Sequence, residues 1–218
     1  MILKFKYFFL LFVLIFGIYS CNNSDNNSFQ EIKIVPIATQ YPLDIQKIEA
    51  YLSSHYIDDV SSDLDITFKQ ILSTDTDKVS IKNQTQYPLL VKEVLIENVL
   101  HKIYYLTLRT GTLTAPNNQS SIKCAYKGLT LKDNVFDFKD TYATFPLSRV
   151  IRGWQEILPL FKSGNYSENS DTSIKTSTDF GAGVMFLPSA LAYYNQSPSP
   201  SIDPYSPLIF TFKLRNVQ

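Results

Sequence analysis

The stretch Val150-Ile151-Arg152-Gly153-Trp154 decides how the rest of the chain is read. It holds the only tryptophan among 218 residues, and apolar segments stand on either side of it. Upstream lie Ile122-Lys123-Cys124-Ala125-Tyr126-Lys127-Gly128-Leu129 and Val135-Phe136-Asp137. Ile122, Cys124 and Tyr126 alternate with Lys123, Ala125 and Lys127, the period of a strand with one face turned inward. Downstream come Pro188-Ser189-Ala190-Leu191-Ala192-Tyr193 and Pro207-Leu208-Ile209-Phe210. Pro159 follows soon after Trp154, and a proline ring cannot continue a helix. Six of the seven glycines lie at Gly111 or later, so tight turns are expected in the second half. Read by spacing alone, Trp154, Phe136 and Phe210 fit an ordinary core as well as a pocket.

The order Tyr126-x-Gly128, Phe136-Asp137, Val150-Ile151-x-Gly153-Trp154, Pro188-Ser189-x-x-Ala192-Tyr193, Pro207-Leu208-Ile209-Phe210 resembles the FKBP-type peptidyl-prolyl cis-trans isomerases. Arg109-Thr110-Gly111 resembles the turn after the family's opening strand, with Leu113 in place of its second glycine. The resemblance implies an α+β fold over residues 98–218, a twisted antiparallel sheet wrapped around one short helix. That helix would be Gly153 to Phe161, broken near Pro159. It also implies an aromatic pocket with Trp154 as floor and Tyr126, Phe136, Val150, Ile151, Tyr193 and Phe210 as walls. Asp137 would orient a wall group by accepting its hydrogen bond. The Tyr193 hydroxyl and the Ile151 amide would hold substrate carbonyls. Phe145 would add a wall and Ile202 would sit at the rim.

The implied activity is rotation about the peptide bond before proline in polypeptide substrates, with no cofactor. Resonance sets that barrier at about 18–20 kcal/mol, and uncatalysed exchange takes tens to hundreds of seconds. A pocket lowers it without a nucleophile, by holding the twisted amide and removing the water that favours the planar, charge-separated form. Two departures stand out. Tyr194 occupies a position where the family has glycine, and the interval 165–183 is longer than the family's. They favour the alternative reading, a non-catalytic FKBP-like binding module or chaperone in an envelope complex. The aromatic set and Asp137 favour the enzyme.

The amino-terminal region reads as a targeting device. Lys4 and Lys6 precede an apolar run from Tyr7 to Ile18, too short to span comfortably as a permanent helix. It closes on Ile18-Tyr19-Ser20-Cys21, which resembles the lipobox of bacterial lipoproteins. Residues 1–20 are thus expected to be a signal peptide, Cys21 to carry lipid, and 21–40 to be a polar tether. The expected location is the cell envelope, on the outer membrane facing periplasm or surface, because no aspartate follows Cys21. Residues 41–97 read as a helix-plus-strand extension. A helix is expected over 43–57, with Asp44 as its cap and Ile45, Ile48, Leu52 and Tyr56 in line. A strand follows over 64–71, with Ile66 and Phe68 on one face.

Composition narrows the remaining classes. Twenty basic and twenty acidic residues give no pull toward nucleic acid. Two histidines, His55 and His101, and two cysteines argue against a structural zinc site. Asp75 and Asp77 lack the ligand pattern of a calcium loop. No G-x-S-x-G elbow supports hydrolysis. Gly181-Ala182-Gly183 lacks the third glycine of a phosphate loop and is expected to be a turn into a strand. The segment 165–180 is expected to be a surface loop, Cys124 a free core thiol, and the protein a monomer.

Overall fold

Seven consecutive buried residues, Gly181–Leu187, mark a strand covered on both faces, because alternate side chains of a strand point to opposite sides. The computed structural model of the chain describes residues 33–168 and 175–218. Its elements run α1 (Ile37–Ser54), β1 (His55–Val60), β2 (Ile66–Gln70), β3 (Leu90–Ile96), β4 (Val99–Arg109), β5 (Ser121–Thr130) and β6 (Val135–Pro146). There follow α2 (Arg152–Ile157), β7 (Asn165–Glu168), β8 (Lys175–Thr178), β9 (Gly181–Leu187) and β10 (Leu208–Val217). Six strands form one antiparallel sheet in the order β3-β4-β9-β10-β5-β6, while β1-β2 and β7-β8 pair separately. The fold is α+β, as the resemblance implied.

Strand alternation sorts the core into two layers. Ile103, Ile122, Cys124, Met185, Leu187, Phe210, Phe212 and Leu214 pack with Trp154, Ile157 and Leu158 at α2. Leu106, Val184, Phe186 and Ile209 pack instead with Ile48, Tyr51 and Leu52 of α1. Fully burying each aliphatic side chain of this size contributes about 1.5–3 kcal/mol. Hence α1 is a second cover of the sheet, and β3 extends the sheet as its edge strand. Polar contacts fix α1 along that face: the Tyr104 hydroxyl donates to Glu49 at 2.6 Å, and Lys102 N–H to the Tyr41 hydroxyl at 3.0 Å.

Several boundaries differ from the sequence expectation. The first helix covers Ile37–Ser54 rather than 43–57, with Pro42 inside it and Tyr56 already in β1. Packing of Ile48, Tyr51 and Leu52 on the sheet outweighs the backbone bond that Pro42 cannot make. Asp44 is not a cap; it lies inside the helix with no exposed surface. The interval after Gly164 holds the hairpin β7-β8 rather than a plain loop. Gly181-Ala182-Gly183 is no turn, since it pairs with β4 and β10 inside the sheet. The glycine serves close packing there: a Cβ on Gly183 would lie 2.8 Å from the Phe161 ring. Short α2 passes at once into a 3-10 turn over Leu158–Leu160, where Pro159 ends regular bonding. The expected signal peptide, Cys21 and most of the tether lie outside the described residues. None of the described helices is long and apolar enough to cross a membrane.

Candidate functional site

A cavity of about 240 Å³ opens where α2, β5, β6 and β10 meet. Its lining is Tyr126, Asp137, Phe145, Arg149, Val150, Ile151, Trp154, Tyr193 and Phe210. A wider cleft of about 730 Å³ lies between β1 and residues 77–87, but its walls are chiefly polar, with Tyr56 and Tyr87 among acidic, amide and hydroxyl side chains. The smaller site has the character of a ligand pocket, with apolar walls and a few convergent polar groups.

Trp154 is only 4% exposed and meets three rings edge-on: Tyr126 at 5.3 Å, Phe210 at 5.5 Å and Phe145 at 6.1 Å. Such T-shaped pairs align positive ring edges with negative faces. The Trp154 Nε1–H is buried without a hydrogen-bond partner among the described residues. An unpaired buried donor costs about 1–3 kcal/mol, so this position is not optimised for stability alone. Ile151 stands in extended backbone directly before α2, and its carbonyl accepts from Trp154 N–H at 3.1 Å. Gln155 Nε2 donates to the Val150 carbonyl at 2.7 Å and holds the preceding link. The Ile151 N–H itself has no acceptor among the described residues.

On the opposite wall, the Tyr126 hydroxyl donates to Asp137 Oδ2 at 2.7 Å. The β5-β6 register makes this possible: Gly128 faces Asp137 and Tyr126 faces Lys139, with irregularities on either side of the pair. Tyr126 and Asp137 are therefore diagonal neighbours on one sheet face. Burial, and then the Asp137 carboxylate, push the Tyr126 phenol well above the ordinary tyrosine range. Tyr193 is raised by burial first and by Asp137 second. Both hydroxyls stay protonated at neutral pH and remain donors.

The cavity brings together eight of the residues singled out from sequence: Tyr126, Asp137, Phe145, Val150, Ile151, Trp154, Tyr193 and Phe210. Phe136 and Ile202 do not line it. Phe136 stands edge-on to Phe210 at 5.6 Å and supports that ring from behind. Its place depends on Gly128, where a Cβ would lie 2.5 Å from the Phe136 ring. Ile202 is 2% exposed and packs into the core, where an isoleucine gains more than at a wet rim.

Arg149 joins the lining without having been expected; its one signal was a charge directly before the apolar pair Val150-Ile151. Asp44 was also missed in this role. Its Oδ2 accepts from Ser189 N–H at 2.8 Å and from the Ser189 hydroxyl at 2.5 Å, in the turn that leads to Tyr193. No spacing rule links residues 145 positions apart. Neither histidine builds a metal centre: His55 stacks on Tyr51 at 3.8 Å, His101 is buried, and no ligand cluster occurs among the described residues. Cys124 is a free, buried thiol, pushed up to about 12 by burial.

Comparison with known proteins agrees with this geometry. Residues 113–215 match the model of the FKBP-type peptidyl-prolyl cis-trans isomerase family. The chain is 30% identical over 115 residues to the probable FKBP-type peptidyl-prolyl cis-trans isomerase FkpA of Neisseria meningitidis, covering 51% of this chain and 36% of that one. It is 29% identical over 119 residues to outer membrane protein MIP of Legionella longbeachae, covering 53% and 44% respectively. The chain thus spans less than half the length of these curated relatives. In fold it is similar to the peptidyl-prolyl cis-trans isomerase of Pseudomonas syringae pv. tomato, with a TM-score of 0.51 and 19% identity over 85% of this chain and 98% of that one. Residues 113–215, which hold every residue lining the cavity, are thus similar to the FKBP-type peptidyl-prolyl cis-trans isomerase family.

Proposed function

We propose that the chain is a peptidyl-prolyl cis-trans isomerase that assists the folding of exported proteins from a lipid anchor on Cys21 in the bacterial envelope. The observation that carries the catalytic reading is the aromatic cavity over Trp154, with two polar donors, Tyr193 O–H and Ile151 N–H, that have no acceptor among the described residues. A proline ring on the indole would be stripped of water on its apolar sides. Desolvation favours the twisted amide, whose nitrogen and carbonyl are no longer conjugated, over the planar form. The Ile151 amide and Tyr193 hydroxyl take backbone carbonyls and keep the chain still while the amide turns. The Tyr126–Asp137 bond keeps one wall rigid. A ten-thousandfold acceleration needs about 5.5 kcal/mol. Two such hydrogen bonds supply roughly 0.5–1.5 kcal/mol each, so desolvation must supply the larger part.

The envelope location rests on the apolar run ending in Tyr19-Ser20-Cys21 and on a relative named as an outer membrane protein. Replacing Cys21 by serine should leave the precursor unprocessed and free of fatty-acid label. Unchanged labelling would remove the anchor from this account. For the catalytic reading, the full chain is assayed on a chromogenic proline tetrapeptide beside Trp154→Leu. The wild type should accelerate isomerisation, and the variant should lose most of that rate while remaining folded by circular dichroism.

A further inference from the structure

The turn that carries Tyr193 is gripped by residues that precede the family domain. Tyr194 has φ +54° and Tyr205 has φ +61°, in the left-handed region that bulky L-residues rarely adopt. Each spends its hydroxyl on the same backbone unit. The Tyr194 hydroxyl donates to the Val35 carbonyl, and the Val35 N–H donates to the Tyr205 hydroxyl at 3.1 Å. The two rings stand edge-on at 5.1 Å, and Tyr205 N–H donates to the Tyr194 carbonyl at 2.5 Å. Tyr194 N–H closes back on the Ser189 carbonyl at 2.9 Å, and Ser189 is held in turn by buried Asp44 of α1. Tyr193, whose ring lines the cavity, therefore sits between a clasped neighbour and a pinned turn.

A glycine at 194 would adopt this backbone without strain. The tyrosine makes a bond that glycine cannot, to a segment 159 residues away. We propose that Tyr194 is a positioning residue. By clasping Val35 with Tyr205, it fixes the direction of the Tyr193 hydroxyl, so that the strand of chain just before α1 is a working part of the pocket rim. This rests on the isomerase reading for the role of Tyr193 and adds an element outside the family domain.

The test uses the full chain and two readouts. One is kcat/KM on a proline tetrapeptide; the other is peptide affinity from the fluorescence of Trp154, the only tryptophan. Tyr194→Phe keeps the ring and removes the bond to Val35. It should lower kcat/KM and weaken binding about three- to tenfold. In a Tyr193→Phe background the same change should have no further effect, because the hydroxyl to be positioned is gone. Val35→Pro, which removes the N–H held by Tyr205, should act in the same direction. If Tyr194→Phe does not fold, Tyr194→Gly accepts the left-handed backbone and takes its place. Equal losses in both backgrounds, or no loss in either, would overturn the proposal. A wild type without turnover would defeat the isomerase reading alone, since the affinity cycle still tests the clasp.

Discussion

Replacing Asp137 by leucine, and Tyr126 by phenylalanine, separately and together, probes the polar pair on the wall of the cavity. The two side chains share one hydrogen bond, hydroxyl to carboxylate oxygen, at 2.7 Å. A bond to a charged acceptor is worth about 1.5–3 kcal/mol where it is shielded. Asp137 is exposed, so solvent screening brings the value toward 1–1.5 kcal/mol, roughly a five- to twelvefold loss in kcat/KM. Leucine has as many side-chain heavy atoms as aspartate, so the wall keeps its bulk while the bond is lost. If the bond acts as a unit, either single variant loses the same amount and the double variant loses little more. The assay is isomerisation of a proline tetrapeptide at several substrate concentrations, with thermal unfolding alongside. Fully additive losses, or a single variant at wild-type rate, would refute the claim that this bond orients the wall.

Two further outcomes follow from the same geometry. Because Tyr126 and Tyr193 are both raised above the ordinary range near 10, and no proton moves in the reaction, kcat/KM should be flat from about pH 7 to pH 10. For stability the sign is that of a raised group: the Tyr126–Asp137 contribution is complete below the unfolded phenol value and is lost as pH rises through the folded one. A bell centred near neutrality would contradict this. Gly128→Ala would place a methyl group 2.5 Å from the Phe136 ring and 2.9 Å from Phe210. Overpacking of this kind costs about 1–3 kcal/mol, so the melting temperature should fall and Trp154 emission should shift as Phe210 moves; an unchanged melting curve would show that Phe136 swings away freely.

The pocket half of the chain was legible because its signals are local. Alternation in β5, the Pro159 break after α2 and the ordered aromatic motifs each depend on neighbours in sequence, and each appears in the fold. What escaped reading depends on distant partners. Asp44 looks like a helix cap until Ser189 arrives 145 residues later to bury it. The helix starts at Ile37, ahead of the expected 43, because the sheet holds it through Pro42. Gly181 and Gly183 look like a turn, but their small size is demanded by the Lys162, Thr110 and Leu106 carbonyls and by Phe161, none of which sequence can place against them. Hairpin β7-β8 lacks apolar alternation, since it pairs outside the main sheet and buries little. Tyr194 was visible as a departure from glycine, but its partner Val35 was not.

The most direct test of the isomerase reading is exchange spectroscopy by NMR on a short peptide with one X-Pro bond, at equilibrium, with the full chain at one-hundredth of the peptide concentration. A catalyst must speed cis-to-trans and trans-to-cis exchange equally and leave their ratio unchanged. The account predicts exchange accelerated from the uncatalysed scale of tens to hundreds of seconds into the range of seconds or below, with the cis fraction constant. Substituting Trp154 by leucine should return the rate most of the way to background. Exchange at the uncatalysed rate, with a cis fraction that shifts only when protein is added in stoichiometric amount, would contradict the account and leave a prolyl-peptide binding module.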